Sequence, residues 1–184
     1  MDTAPPLPTA ADVVHFWRDA GPRRWFRRDD DFDARFREGF LAAHEAAAAG
    51  RLQAWGATPE GALGLVLLLD QFPRNVFRGT PRVYATDPHA RQIADGAIRA
   101  GFDRMVDPGL RPFFYLPFAH SEVLGDLERC VTLNEAQGGE SLRWARHHRD
   151  IVARFGRFPH RNAILSRAST AEEERFLAEG GFSG

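Results

Sequence analysis

A single cysteine, Cys130, is all the thiol chemistry the 184-residue sequence holds. No disulfide can close within the chain, and a reducing compartment fits. Charge of neither sign is in excess: 24 Lys and Arg stand against 25 Asp and Glu, for a formal net charge of -1. With no surplus of cations to displace counterions, no nucleic-acid partner is expected. The apolar run Leu63–Leu69 is far shorter than a membrane span, and no basic N-terminal region leads into an apolar stretch. A cytosolic protein with no membrane partner is expected. Alternating strand patterns and hairpin signals are absent. So are Gly-x-Gly-x-x-Gly, Gly-x-x-x-x-Gly-Lys and Gly-x-Ser-x-Gly, which removes the common nucleotide loops and the hydrolase elbow. No cofactor is expected.

What remains is the composition of an ordinary globular protein, 43% hydrophobic and 27% charged. The length suits one core and is short for two, so residues 1–184 are expected to form a single domain with a loose tail over 1–8. The pattern is helical throughout. Thr9 with Asp12 forms a capping-box start before Val13, Phe16, Trp17 and Ala20. Gly21-Pro22 ends that helix, and Trp25-Phe26 falls in a basic turn. Asp29 to Asp31 offer N-caps for a helix with Phe32, Phe36, Phe40 and Ala43 on one face, closed near Gly50. Thr58-Pro59 opens a helix that is apolar on all sides over Ala62–Leu69, and this should be central and buried. Further helices are expected after Asp87-Pro88, over about Ser121–Gln137, over Ser141–Phe155 and after Ser169-Thr170. The fold class is all-α, an antiparallel helical array.

Two Phe-Pro steps stand out: Asp70-Gln-Phe-Pro-Arg-Asn75 and Arg154-Phe-Gly-Arg-Phe-Pro-His-Arg-Asn162. Proline bars the preceding residue from helical geometry, so each should stop a helix and turn the chain. Each turn is dense in guanidinium, amide and imidazole.

These segments also carry a resemblance. Leu67-Leu-Leu-Asp-Gln-Phe-Pro-Arg-Asn75, Phe77-Arg-Gly79 and Ala85-Thr-Asp87 are similar to signatures of an uncharacterised bacterial family, domain of unknown function 924. Leu116-Pro-Phe-Ala-His-Ser-Glu122, His148-Arg-Asp150 and the run Arg154 to Asn162 match its other signatures, as does the pairing of Phe16-Trp17 with Trp25-Phe26. The resemblance spans nearly the whole chain. It implies an all-helical fold resembling a tetratricopeptide-like superhelix, and it implies no activity.

Chemistry must therefore be read from side chains. Asp70 falls where an apolar helix ends, so both burial and the helix dipole disfavour its charge. Arg74 and Arg78 are the nearest compensating cations. Either they lock Asp70 internally, or Asp70 and Gln71 form a pocket wall with the arginines turned to a ligand. His148 shares a helix face with Trp144, Ile151 and Phe155, the setting of a core histidine. Arg146, Asp150 and Arg154, four apart, make a helix-face ion ladder. His120 follows Pro117 at a helix start, with Ser121 as cap and Glu122 in the first turn. His120, Glu122, His148 and His160 lack metal-ligand spacing, so no metal is expected. Cys130, between Leu127 and Val131, reads as a buried, inert thiol.

The candidate binding set is Asp70, Gln71, Arg74, Asn75, Arg78, His120, Glu122, Arg157, His160, Arg161 and Asn162. The two turns and His120 are expected to meet in one groove that binds a small anionic ligand or a peptide carboxylate, because Asp70 alone cannot neutralise four arginines. Two alternatives stand beside this reading. One is an enzyme using His160, His148 or His120 as general acid–base with arginines stabilising charge. The other is a purely structural set of polar locks in a protein-interaction scaffold.

Overall fold

Short-range signals set most of the helix ends. In the computed structural model, which describes residues 6–136 and 138–183, the Thr9 side chain takes the Asp12 amide and the Asp12 carboxylate takes the Thr9 amide at 2.8 Å. This reciprocal cap opens α1 (Ala10–Ala20), and Gly21 ends it. Pro22 begins the short α2 (Pro22–Trp25). Asp29 accepts the Phe32 amide at 3.0 Å and opens α3 (Asp30–Ala48), where Phe32, Phe36, Phe40 and Ala43 are buried as their spacing predicts. Thr58 caps α4 (Pro59–Val66), and every residue from Ala62 to Leu69 is buried. Among the described residues there is no strand, and no helix is long and apolar enough to cross a membrane.

Backbone contacts divide the chain into two compact units. One runs to Arg78 and resumes over Arg82–Pro117; the other comprises Gly79–Pro81 and the chain from Phe118 onward. In the first unit α4 packs against α1 and against α6 (Asp87–Arg99), while α3 packs on α5 (Phe72–Val76). Trp17 sits at the centre of an aromatic layer, with Phe32, Phe36 and Phe113 centred 5.9, 5.6 and 5.4 Å away. Each such ring contributes about 1.5–3 kcal/mol by leaving water, so this layer, with α4, is the core of the unit.

The short α7 (Leu116–Ala119) stands where the chain passes to the second unit. There α8 (Leu124–Glu135) pairs with α9 (Gly139–Phe155). Leu127, Ile151, Val152 and Phe158 form a buried cluster, with Phe155, Phe176 and Phe182 packed at its margin. Thr170 and Glu173 make the second reciprocal cap and open α10 (Ala171–Ala178).

Two expectations about boundaries are corrected. The helix predicted from Ser121 begins at Leu124, because the Ser121 hydroxyl accepts the Val123 amide at 3.1 Å and holds a turn there. Its predicted end, Gln137, and residues 1–5 of the predicted tail lie outside the described residues. The second correction concerns Pro73 and bears directly on the site.

Candidate functional site

Phe72-Pro73 does not stop a helix. Phe72 keeps helical angles (φ -54, ψ -49), and α5 follows without a turn. The accommodation is a π-helical segment, Leu67–Gln71, between α4 and α5. There the Phe72 amide reaches back five residues to the Leu67 carbonyl. Widening the helix makes room for the proline ring, which would otherwise strike the carbonyl four residues back, and it releases carbonyls from the ladder. Side chains take those carbonyls. His44 Nδ1 donates to the Leu68 oxygen at 2.8 Å and the Thr86 hydroxyl to that of Leu69 at 2.5 Å. Arg74 donates to the Asp70 oxygen at 2.8 Å and Asn75 Nδ2 to that of Gln71 at 2.9 Å. Asp70 therefore lies inside a continuing helical path rather than at a helix end.

The charges of this turn close on carboxylates within the same unit. Arg74 lies 3.2 Å from the fully buried Asp70 and forks onto Asp87 at 2.8 and 3.0 Å. Burial works against its charge, but Asp70 and Asp87 outweigh that penalty and hold the guanidinium pKa above its ordinary value. Gln71 donates to Asp70 at 2.6 Å. Arg78 donates to Asp33 at 3.1 Å and to Asn75 at 2.9 Å. The premise that Asp70 alone opposes the arginines is thus corrected: Asp87 and Asp33, distant in sequence, share that task.

Phe158-Pro159 does turn the chain. Phe158 is extended (φ -91, ψ 109), and one 3-10 turn, Pro159–Arg161, follows. Here too the polar residues form internal pairs. Arg157 forks onto Glu173 at 2.7 and 2.8 Å and also donates to the Ala168 carbonyl at 2.8 Å. Arg157 and the cap of α10 hold the Glu173 carboxyl down to about 2. Glu122 accepts the Phe158 amide at 2.8 Å and an Arg167 fork at 2.7 and 3.0 Å. Burial disfavours the Glu122 charge, yet these donors outweigh it and keep the carboxyl below its usual range. Asn162 is buried, donating to Ser169 at 3.1 Å and accepting from Arg167 at 3.0 Å. Of the expected ion ladder, Asp150 is held by its neighbour Arg149, and Arg154 by Glu172 at 2.8 Å.

The remaining candidates gather in this second unit. His120 does not start a helix; it lies in the turn after α7, and its carbonyl accepts from Arg161 at 3.0 Å. The Arg161 guanidinium lies 4.5 Å over the Phe158 ring. His148, on α9, and His160, in the 3-10 turn, each have a ring centre 5.6 Å from that of Phe158. Both imidazoles carry a buried Nδ1 that has no hydrogen-bond partner among the described residues. The Ala119 backbone favours a proton on the His148 ring, and with Nδ1 buried and unpartnered that proton is assigned to Nε2, which leaves Nδ1 an acceptor. Burial first, and then neighbouring His120, push the His148 pKa down to about 3. Burial and then Arg161 push His160 down to about 4. Both are neutral at neutral pH.

Phe182 completes the group, and nothing in the sequence pattern marked it. Its ring centre is 4.7 Å from His148, 5.0 Å from His160 and 5.7 Å from His147. Asp33, Asp87, Thr86, Glu173 and Arg167 were likewise missed as partners. Cys130 is buried, and burial pushes its thiol up to about 12, so it is inert. Among the described residues, no group of three or more His, Cys, Asp or Glu is placed to hold a metal ion.

Comparison with known proteins places this geometry in a family. The model of a bacterial protein family of unknown function, DUF924, matches residues 13–181. A solved structure of a protein of unknown function from Agrobacterium tumefaciens is 55% identical, with a TM-score of 0.91, over 93% of this chain and 97% of that one. No curated protein matches.

Proposed function

We propose, from the premise that this chain belongs to the bacterial DUF924 family of unknown function, that it is a helical binding protein whose ligand-facing chemistry lies at His148 and His160. One observation carries the reading: two imidazoles packed on the Phe158 ring each bury an Nδ1 with no partner among the described residues. An unsatisfied buried acceptor costs about 1–3 kcal/mol, and a ligand that donates to it removes that cost. The ligand expected on these grounds offers hydrogen-bond donors. An anion or a peptide carboxylate, which the density of arginine suggests, is disfavoured, because Arg74, Arg78 and Arg157 each face a carboxylate and the imidazoles carry no charge near neutrality. General acid–base catalysis is also poorly served, since a base of pKa about 3 or 4 is far from the working range.

The first Phe-Pro turn has a different reading. Four side chains on four carbonyls, with Arg74 clasping two buried carboxylates, support a structural lock there. A long-range proton–nitrogen NMR titration tests the assignment of roles. Acetamide and small alcohols are expected to move the Nδ1 resonances of His148 and His160, while phosphate and citrate leave them in place. No shift with any neutral donor at millimolar concentration would overturn the proposal, as would undiminished binding by His148→Phe.

A further inference from the structure

The geometry points to a ring-binding site at this cluster that Phe182 occupies from within the chain, and that accepts in its place an aromatic ring bearing a hydroxyl or N–H donor. The inference rests on the reading of His148 and His160 above and goes on to name the ligand class.

Three observations carry it. The first is the surround. The Phe182 ring has His148 and His160 centred 4.7 and 5.0 Å away, His147 at 5.7 Å, and Trp144 and Phe158 both at 6.3 Å. Interplanar angles of 88° to His160 and 85° to His147 set ring edges against ring faces. Five aromatic rings at these spacings form a cage with a preference for another ring.

The second is the delivery of Phe182. The Gly180 amide bonds the Leu177 carbonyl at 3.3 Å and the Gly181 amide bonds that of Phe176 at 2.9 Å, which is the two-bond stop that ends a helix and reverses the chain. Gly180 takes φ +82, open to glycine at no steric cost. A Cβ on Gly181 would lie 2.4 Å from the Phe176 oxygen, so that position has no room for a side chain. Two glycines with separate reasons thus fold the last turn back and set one aromatic ring among the imidazoles.

The third is a mismatch. Phe182 fills the cage but has no donor, and the Nδ1 atoms of His148 and His160 remain buried without partners among the described residues. A phenol or indole would supply the same ring together with an O–H or N–H. Phe182 therefore acts as an incomplete ligand held in cis. A tethered occupant competes at an effective concentration on the order of millimolar, so a free ring must displace it.

The test compares the native chain, Phe182→Ala and Phe182→Tyr against four probes: phenol, indole, toluene and acetamide. Binding is followed by calorimetry and by the histidine Nδ1 resonances. Phe182→Ala is expected to bind phenol and indole about tenfold more tightly than the native chain, because its site is no longer pre-occupied. Phenol should exceed toluene by at least about fivefold, the share of one hydrogen bond to an otherwise unsatisfied acceptor. Phe182→Tyr should melt higher than the native chain and bind no phenol. A Phe182→Ala protein that melts lower and binds no ring would reduce Phe182 to an anchor and overturn the inference. Acetamide binding as tightly as phenol would also sink the ring site, while leaving the donor-to-imidazole reading intact. Phenol binding without movement of either Nδ1 resonance would keep the ring site and refute that reading instead.

Discussion

Replacing Arg74 with Met removes a cation that two buried carboxylates share. Asp70 has no exposed surface and Asp87 is 6% exposed, and one guanidinium lies 3.2 Å from the first and 2.8 Å from the second. Arg74→Met keeps most of the aliphatic volume but strips both carboxylates of their common charge. Breaking a buried ion pair from one side costs about 3–5 kcal/mol. Asp70→Asn is milder, because Arg74 keeps its fork on Asp87 and the new amide oxygen still accepts from Gln71. Its expected cost is about 1–2 kcal/mol, that of a charge-assisted bond made neutral. Arg146→Ala, on an exposed helix face, should stay within about 0.5 kcal/mol of the native chain. Urea midpoints, with unchanged slopes, give the measurement. The reasoning fails if Asp70→Asn costs as much as Arg74→Met.

Two further outcomes are expected. Arg157 holds Glu173 at about 2, so the stability this pair contributes is complete above the unfolded carboxyl value of about 4.3 and is lost as the pH falls towards 2; Glu173→Gln should flatten the melting temperature over that window, and an unchanged slope would argue against the pairing. Thr86→Val removes the hydroxyl that holds the Leu69 carbonyl and should cost about 1–3 kcal/mol, with faster amide exchange across Leu67–Phe72; exchange rising only at the chain ends would dissociate Thr86 from the π segment.

Sequence carried the local half of this structure and little of the rest. Thr9 with Asp12, Asp29, Thr58 and Thr170 are caps whose partners lie within three residues, so pattern alone found them. The burial of Ala62–Leu69 followed from an apolar surround. Two identical Phe-Pro steps, by contrast, ended differently. Pro159 follows an extended residue, whereas Pro73 is absorbed by a π segment that depends on His44 and Thr86, 24 and 17 residues from the carbonyls they hold. No local rule anticipates such distant support. Arg157 was visible as a candidate, but it meets Glu173 16 residues away, and Arg167, which was passed over, meets Glu122 45 residues away. Composition gives a balance of charges and leaves the pairing to the fold. Phe182 was passed over because one aromatic residue beyond the last helix carries no periodicity.

Binding in the second unit depends on its imidazoles being neutral, with His148 presenting an unprotonated Nδ1 from a buried position. Long-range proton–nitrogen correlation of the histidine side chains across pH 3 to 8 reads both properties at once. The expected spectrum has His148 as the Nε2–H tautomer at neutral pH, uncharged down to about pH 3, and His160 uncharged down to about pH 4. Burial depresses both values, so the unfolded state takes up these protons first and stability falls as the pH drops below about 6.5. Titration of either ring near 6.5, or a proton on His148 Nδ1 at neutral pH, would contradict the central claim.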